Sequence, residues 1–290
     1  ADMLRELPVT VQQLQVCRPV RSEANRDCAC PDWLGADEVA RRAIELLELV
    51  GLGHWFSRSG DDPPVLDDLS LFVDHGEIVC LVGRSGSGKS TVLNIVAGFL
   101  APERGRCLLA GAPVTGPGPD RCVVFQEDAL FPWLTVRENI GFGLRGPAWP
   151  RAMIDREVDR FLALVGLEAY GDYLPRALSG GMKQRVALAR VLVRAPRILL
   201  MDEPFGALDP HTREEMQELL VRLVGQHGQT VLFVTHDVAE AVSLADRVLL
   251  VVGEQEVTSF EELFQFVRSV PWEEFLPRDA AFPVSGNCVR

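Results

Sequence analysis

The chain has 290 residues, 47% of them hydrophobic and 24% charged, which permits a substantial core and excludes wholesale disorder. Its formal net charge of −12 argues against a nucleic-acid-binding surface, because phosphate backbones require clustered cations. The apolar runs are far shorter than the about 20 residues that cross a membrane, and no secretory leader pattern is visible. We therefore expect a cytoplasmic protein without a membrane span.

The first part of the sequence has few clear signals. Residues 1–41 carry scattered charges and little periodicity, so we expect an N-terminal extension of unknown role. The pattern over 37–47 is compatible with a short helix. The apolar run 44–50 fits either a helix end or a strand, and periodicity does not decide between them. The Gly, Asp and Pro content of 57–64 indicates a loop.

After this loop, short apolar runs of the buried-strand type alternate with segments of helical periodicity. The predicted strands cover 78–82, 121–126, 198–201 and 231–234, and the predicted helices cover 90–99, 154–164 and 182–193. Strands that alternate with helices predict a mostly parallel sheet covered on both faces.

The seven cysteines show no disulfide-like spacing. Three of them lie in or beside apolar runs and are expected to be small buried hydrophobic residues: Cys80, Cys107 and Cys122. A zinc cluster of Cys17, Cys28 and Cys30 is an alternative, but no C-x-x-C pair or nearby His completes it. We interpret these three as ordinary free thiols.

A phosphate-binding loop is predicted between the strand at 78–82 and the helix at 90–99. The segment GRSGSGKS fits the pattern G-x-x-x-x-G-K-[ST] in the strand–turn–helix context that it requires, which disfavours a simple Gly/Ser linker. Its glycines let backbone N–H groups surround phosphate oxygens at a helix N-terminus. Lys89 is expected to reach the β- and γ-phosphates, and Ser90 to bind Mg²⁺. The predicted nucleotide-binding residues here are Gly83, Ser85, Gly86, Gly88, Lys89, Ser90 and Thr91.

Two carboxylates end the apolar strand at 198–201. Asp202 at a strand tip is expected to hold Mg²⁺ through water, and Glu203 to polarise the attacking water as a general base. A pair of solvated acids at a strand end is the alternative reading. In a chain that also carries a phosphate loop, the catalytic interpretation is preferred.

A second anion-binding helix start is predicted in the segment LSGGMKQR. Ser179, Gly180 and Gly181 open a helix there, so its N-terminus favours an anion. A single γ-phosphate needs one such anion-binding helix start, or phosphate cradle, within a subunit. Two cradles in one chain therefore indicate that the second serves the nucleotide of a neighbouring copy.

In this combination and order, the segments resemble the ATP-binding subunits of ABC transporters from about residue 45 to residue 252. The resemblance implies an α/β fold, with a P-loop NTPase core of the ABC ATPase type, a helical signature subdomain at about 136–177 and a small antiparallel β part. The ATPase domain would cover 42–252, with 44–50 as its first strand. A C-terminal tail over 253–290 would follow, with a short helix at 259–270.

The resemblance also implies roles for residues outside the two cradles. Gln126 would sense Mg²⁺ and the γ-phosphate, and His236 would contact the γ-phosphate. Asp209 lies in the segment ALD, which resembles a loop that crosses the dimer interface. Phe56 would stack on adenine, with Trp55 as the alternative.

Two stretches, FQEDALFPWLTVREN and MDEPFGALD, resemble the nitrate, sulfonate and taurine import subgroup of this family. In that family, the first stretch receives the coupling helix of an integral-membrane permease subunit. Phe131 and Trp133 are therefore expected to be exposed apolar anchors for a permease. The alternative is that both residues belong to the core.

The function implied by the resemblance is ATP hydrolysis that energises an importer of a small anionic solute. Two ATPase subunits, identical or closely related, would close around ATP and Mg²⁺ at the cytoplasmic face of the membrane, peripheral to it. A periplasmic or extracellular solute-binding protein would be an indirect partner, and no nucleic acid is expected. The alternatives are an ABC ATPase of DNA repair or translation and an inactive regulatory module. Intact Lys89, Glu203 and His236 argue against the second.

Overall fold

A computed structural model describes residues 9–17, 45–56, 64–83, 86–126, 129–145, 149–251, 256–257 and 284–289. The chain divides into two compact units, the first formed by 1–116 and 232–290 and the second by 117–231. Three sequence expectations lie outside the described residues: the thiols of Cys28 and Cys30, nearly all of the loop at 57–64, and the helix at 259–270.

The secondary structure follows the predicted alternation in the middle of the chain. The first unit begins with β1 (Val9–Cys17), β2 (Glu45–His54), β3 (Leu66–Asp74), β4 (Ile78–Gly83), α1 (Lys89–Ala97), β5 (Arg104–Leu109) and β6 (Ala112–Pro113). The second unit holds β7 (Arg121–Val124), α2 (Val136–Gly141), α3 (Arg151–Leu164), α4 (Gly180–Leu192), β8 (Ile198–Asp202) and α5 (Pro210–His227). The boundary falls within β9 (Thr230–Thr235), and the first unit continues with α6 (Val238–Leu244), β10 (Arg247–Val251), β11 (Glu256–Val257) and β12 (Val284–Val289).

In the first unit, β4 lies parallel to β10, with Val79 opposite Arg247 and Gly83 opposite Val251. Residues 78–82 of β4 are all buried, as expected for a strand covered on both faces. β1 pairs antiparallel with β10 and also with β11 and β12. A strand from the predicted N-terminal extension therefore precedes the segment that the sequence indicated as the first strand.

A second, antiparallel sheet of the first unit has the order β3-β2-β5-β6. The helix expected over 37–47 is wrong for 45–47, which belong to β2, and 37–44 lie outside the described residues. The reason is pairing on both sides, since Leu47 lies opposite Val73 of β3 and Leu109 of β5. Ladder hydrogen bonds to two neighbours outweigh a weak local helical pattern.

In the second unit, β7 lies parallel to β8, with Arg121 opposite Ile198 and Val124 opposite Met201. The helix predicted from residue 154 begins earlier, at Arg151, because Pro150 precedes it and supplies a start of fixed φ. None of the helices in the described ranges is long and apolar enough to span a membrane.

Two of the cysteines expected in the core, Cys80 and Cys107, are buried, whereas Cys122 on β7 is half-buried. Burial raises the pKa of the Cys80 thiol, and the nearby carboxylates of Glu240 and Asp246 raise it further. Cys80 is therefore an inert core residue.

Candidate functional site

The predicted phosphate loop joins β4 to α1 in the first unit. Gly88 is the N-cap of α1 with φ of +87°, a left-handed conformation that favours glycine. A Cβ at this position would lie 2.8 Å from the Val65 carbonyl oxygen and 2.8 Å from Leu66 Cδ2. Among the described residues, no side chain caps α1, and its first turn contains no acidic residue. The first N–H groups of α1 thus suit a phosphate.

Lys89 is the first residue of α1 and is 5% exposed. Its Nζ donates hydrogen bonds to the Gly83 carbonyl oxygen at 2.8 Å and to Ser87 Oγ at 3.4 Å. The ammonium group is therefore held within the loop by the loop's own oxygens. Ser90 follows at the exposed side of the helix and Thr91 is buried, whereas Ser85 lies outside the described residues.

Two aromatic residues follow β2 in the same unit and differ in accessibility. Phe56 is 70% exposed, with its ring edge-on to that of His54 at a centroid distance of 5.0 Å. Trp55 is half-buried, and the Arg104 guanidinium lies 5.7 Å from the centroid of its ring. The structure thus leaves Phe56 the more accessible surface for a planar base.

His236 lies in the first unit, between the end of β9 and the start of α6. Its neighbours are fixed: Thr235 is the buried last residue of β9, and Asp237 caps α6. Sequence reasoning missed the buried Glu240, which contacts Thr235. The sequence did contain an indication of this residue, since Asp237 and Glu240 have the D-x-x-E spacing of a motif that caps a helix N-terminus.

The predicted acid pair lies in the second unit, where β8 ends. Asp202 is the last residue of the strand, and Glu203 follows with φ of +44°. This conformation is uncommon for a residue with a side chain and is found preferentially at functional sites. Gln126 Nε2 and Glu203 Oε2 lie 3.6 and 3.9 Å from the point where a Cβ on Gly206 would stand. The fold of this unit therefore brings Gln126 and Glu203 to one place.

The predicted signature segment begins α4. Ser179 is the N-cap and its hydroxyl accepts a hydrogen bond from the Met182 N–H at 3.4 Å. A Cβ on Gly181 would overlap the Cγ2 methyl of Thr212, so α4 approaches α5 closely at this glycine. Gly180, in contrast, is exposed. The contact between Gly181 and Thr212 was not visible in the sequence.

Asp209 has a defined local role at the start of α5. Its carboxylate accepts a hydrogen bond from the Thr212 N–H at 3.1 Å, which lowers the pKa of Asp209 below its ordinary value. The preceding turn is held by Arg213, which donates to the carbonyl oxygens of Phe205 and Leu208. Thr212 is thus in contact with both Asp209 and Gly181, since its N–H donates to Asp209 and its methyl group packs against Gly181.

A hydrogen bond links the signature helix to the segment after β7. Gln184 of α4 is 6% exposed, and its Nε2 donates to the Gln126 carbonyl oxygen at 3.2 Å. Gln126, Glu203 and the signature residues are therefore positioned within one compact unit. The sequence pattern contained Gln184 but gave no indication of this contact.

The aromatic segment after Gln126 is partly exposed. Trp133 is 71% exposed, whereas Phe131 is half-buried, in contrast to the expectation that both are exposed. The Phe131 ring lies against those of Trp133 and Phe142, at ring centroid distances of 5.7 and 4.4 Å. The Arg190 guanidinium lies 5.4 Å from the Phe131 centroid. Phe131 is thus the packed base of an exposed aromatic cluster.

Known proteins match this chain at the level of family, sequence and fold. The family described as ABC transporter matches residues 66–206. The chain is 50% identical over 207 residues to the taurine import ATP-binding protein TauB of Pseudomonas putida, a match that covers 71% of this chain and 78% of the relative. It is 54% identical over 186 residues to the aliphatic sulfonates import ATP-binding protein SsuB of Mycobacterium avium (strain 104), covering 64% and 71%. This chain belongs to the ABC transporter ATP-binding family.

A solved ABC structure gives the same fold. The cbiO1 protein of Clostridium perfringens, described as part of the ABC transporter complex cbiONQ, matches with a TM-score of 0.66 and 28% identity. The match covers 80% of this chain and 98% of cbiO1. The predicted fold class, an ABC ATPase with parallel and antiparallel sheets, is confirmed, and so is the predicted resemblance to the sulfonate and taurine subgroup. As an ABC ATPase, the chain binds and hydrolyses ATP.

Proposed function

We propose that this ABC ATPase energises an importer of a small anionic solute of the sulfonate, taurine or nitrate type. One observation carries the proposal: about half of the aligned residues are identical to those of proteins named for taurine and aliphatic sulfonate import. The alternatives in DNA repair, translation or regulation have no comparable observation in their favour.

For ATP binding, we propose that Lys89 and the first N–H groups of α1 hold the β- and γ-phosphates. The support is a helix start that no described side chain caps and a lysine held within the loop. Phe56 would stack on adenine, because its ring is 70% exposed whereas Trp55 already lies against Arg104. Ser85 and Thr91 would complete the set of nucleotide-binding residues.

For hydrolysis, Glu203 would act as the general base, with Gln126 and His236 at the γ-phosphate. The left-handed backbone of Glu203 and the position of its carboxylate and the Gln126 amide beside Gly206 support this assignment. Oxygen donors of the kind that Mg²⁺ prefers are supplied by Ser90, Gln126 and Asp202. When bound, Mg²⁺ would neutralise charge on the transferred phosphoryl group.

For the dimer, we propose that Ser179, Gly180 and Gly181 of one copy face the γ-phosphate bound by Lys89 of a second copy. The support is a second helix start with exposed Ser179 and Gly180, of the kind that binds anions. Asp209, linked to Gly181 through Thr212, would lie near the dimer interface. ATP would then join the two subunits, and hydrolysis would separate them.

For the membrane partner, we propose that the aromatic cluster around Phe131 and Trp133 contacts a permease subunit at the cytoplasmic face. The Trp133 ring is exposed and lies tilted against that of the half-buried Phe131, at an interplanar angle of 42°. Accessible Trp side chains of this kind are enriched at interface hot spots. The segment follows Gln126, so nucleotide state would reach this surface. A solute-binding protein would contact the permease and not this chain.

The decisive experiment compares two double variants of the full chain. Phe131→Ala/Trp133→Ala should lose permease pull-down and solute-stimulated ATPase, while ATP affinity stays within about twofold, because neither side chain is assigned to nucleotide. The control is Tyr170→Ala/Tyr173→Ala, which removes another exposed aromatic pair of the same unit, with a ring centroid distance of 5.3 Å. Unimpaired pull-down by the first variant, or equal loss in both, would refute the assigned surface.

A further inference from the structure

Three residues around His236 form a closed ring of hydrogen bonds. The Thr235 hydroxyl donates to Glu240 Oε2 at 2.6 Å. The Asp237 N–H donates to Thr235 Oγ1 at 3.0 Å, and the Glu240 N–H donates to Asp237 Oδ1 at 3.1 Å. Within the ring, each of the three residues therefore donates one hydrogen bond and accepts one, and the ring spans the peptide that carries His236.

Two of the three residues in the ring are buried, and Asp237 is half-buried. Thr235 is 2% exposed and Glu240 is 6% exposed. A short hydrogen bond from a hydroxyl to a carboxylate is among the stronger ones, and a buried carboxylate without a donor would carry a large cost. Glu240 is also fixed from its other side, since Ser243 Oγ donates to the Glu240 carbonyl oxygen at 2.8 Å. The arrangement therefore holds one conformation of residues 235–237.

We propose that Thr235 and Glu240 are positioning residues for His236 in ATP hydrolysis. Glu240 acts through the Thr235 hydroxyl, which in turn orients the Asp237 N–H on the far side of the histidine. This inference rests on the proposed role of His236 at the γ-phosphate. It gives Thr235 and Glu240, which have no assigned contact with nucleotide, an indirect role in hydrolysis.

The expected signature is a loss of turnover without a loss of nucleotide binding. The main phosphate and base contacts are assigned to Lys89, the start of α1 and Phe56, whereas the hydrogen-bond ring reaches the γ-phosphate only through His236. ATP affinity therefore depends little on this ring. A catalytic group that is displaced by about 1 Å can lose roughly 100-fold in rate. Loosening the ring should therefore lower kcat and leave ATP affinity within about twofold.

The test uses Thr235→Val, which keeps the shape and removes two of the three hydrogen bonds, and Thr235→Ser, which keeps the hydroxyl. In the full chain, Thr235→Val should lower kcat by roughly 10- to 100-fold, and Thr235→Ser should restore most of it. Glu240→Gln keeps an acceptor for Thr235 and should show an intermediate loss. ATP affinity is measured with a fluorescent ATP analogue, and folding by thermal unfolding.

A double-variant cycle separates positioning from stability. In a His236→Ala background, Thr235→Val should cause no further loss of kcat, because the group that it positions is absent. Glu77→Gln is the control, since it alters another carboxylate of the same unit, which is 10% exposed and pairs with Arg247. An equal loss from Thr235→Val with and without His236 would overturn the proposal. Normal turnover of His236→Ala alone would instead refute the assigned role of His236.

Discussion

Asn139 lies beneath Phe131 and binds both polar groups of its backbone. Asn139 Oδ1 accepts from the Phe131 N–H at 2.9 Å, and Asn139 Nδ2 donates to the Phe131 carbonyl oxygen at 3.1 Å. The same Nδ2 donates to the carbonyl oxygens of Leu134 and Thr135, both at 3.0 Å. Asn139 is 0% exposed. One buried amide therefore determines the course of the aromatic segment that carries Trp133.

Replacing this amide should destabilise the second unit. Asn139→Asp keeps the shape but turns a donor into an oxygen that faces three carbonyl oxygens, and we expect a loss of about 2–3 kcal/mol in the free energy of unfolding. Urea denaturation measures this change. The control is Glu138→Gln on the same helix, which is exposed and keeps the acceptor for the Thr135 N–H. Equal stability of both variants would contradict the role assigned to Asn139.

Gly181 and Gly180 should respond differently to alanine. A Cβ on Gly181 would overlap Thr212 Cγ2, whereas on Gly180 it would lie 3.8 Å from Leu208 Cδ2, an ordinary contact. Gly181→Ala should therefore lower the free energy of unfolding by about 1–3 kcal/mol, as overpacking does. Adding Thr212→Ser removes the obstructing methyl group and should recover most of that loss. Denaturation of these three variants beside the unaltered protein tests this, and the same loss for Gly180→Ala would contradict it.

Glu203→Gln tests the proposed general base. Glutamine keeps the shape and the hydrogen-bonding oxygen but cannot accept the proton of the attacking water, so turnover should fall by about 10²- to 10⁴-fold. ATP binding should persist, and a nucleotide-bound dimer should accumulate, visible by size-exclusion chromatography with ATP and Mg²⁺. Asp159→Asn, which changes an exposed carboxylate of the same unit that pairs with Arg137, is not expected to trap this dimer. Near-normal turnover of Glu203→Gln would remove Glu203 from this role.

Phe56 and Trp55 are distinguished by their surroundings. Phe56→Ala should weaken ATP binding by about 1–3 kcal/mol, the contribution of one base stacked on an aromatic ring. Trp55→Ala should weaken it less, because that ring is half-buried and already packs against Arg104. Phe56→Tyr keeps a stacking surface and should bind like the unaltered protein. Titration with a fluorescent ATP analogue ranks the variants, and a larger loss for Trp55→Ala would assign the base to Trp55.

Glu77 should make stability depend on pH in the weakly acidic range. Burial raises the pKa of Glu77 above its ordinary value of 4.5, although Arg247 and the Asp74 N–H lower it. The folded state therefore holds this proton more tightly than the unfolded chain. The stabilisation is complete below pH 4.5 and is lost as pH rises through the raised pKa.

Glu77→Gln removes this titration and keeps an acceptor for the Asp74 N–H. The free energy of unfolding, measured in urea at several pH values from 4.5 upward, should fall less with rising pH in the variant than in the unaltered protein. Arg121 and Asp120 pair in the other unit, so Asp120→Asn serves as a control for a general effect of removing an acid. A steeper fall in Glu77→Gln would show that the pKa is lowered.

The sequence by itself determined the features that are defined within a short window. An apolar run, a glycine-rich turn and a helical period identify β4, the phosphate loop and α1 without reference to the rest of the chain. The same holds for β8 with Asp202 and Glu203, and for Ser179 at the start of α4. Local chemistry fixes these elements, because a phosphate cradle needs glycines and N–H groups at fixed spacing.

Tertiary structure alone decided the features that depend on distant partners. Residues 45–54 form a strand because β3 and β5 flank them. β1 belongs to the sheet of the first unit because it pairs with β10, and a local sequence window cannot show this pairing because β10 lies more than two hundred residues further along the chain. The contact of Gly181 with Thr212 and the choice between Phe56 and Trp55 likewise depend on neighbours from other elements. A single sequence encodes such pairings only through shape and burial, and these exist only once the chain has folded.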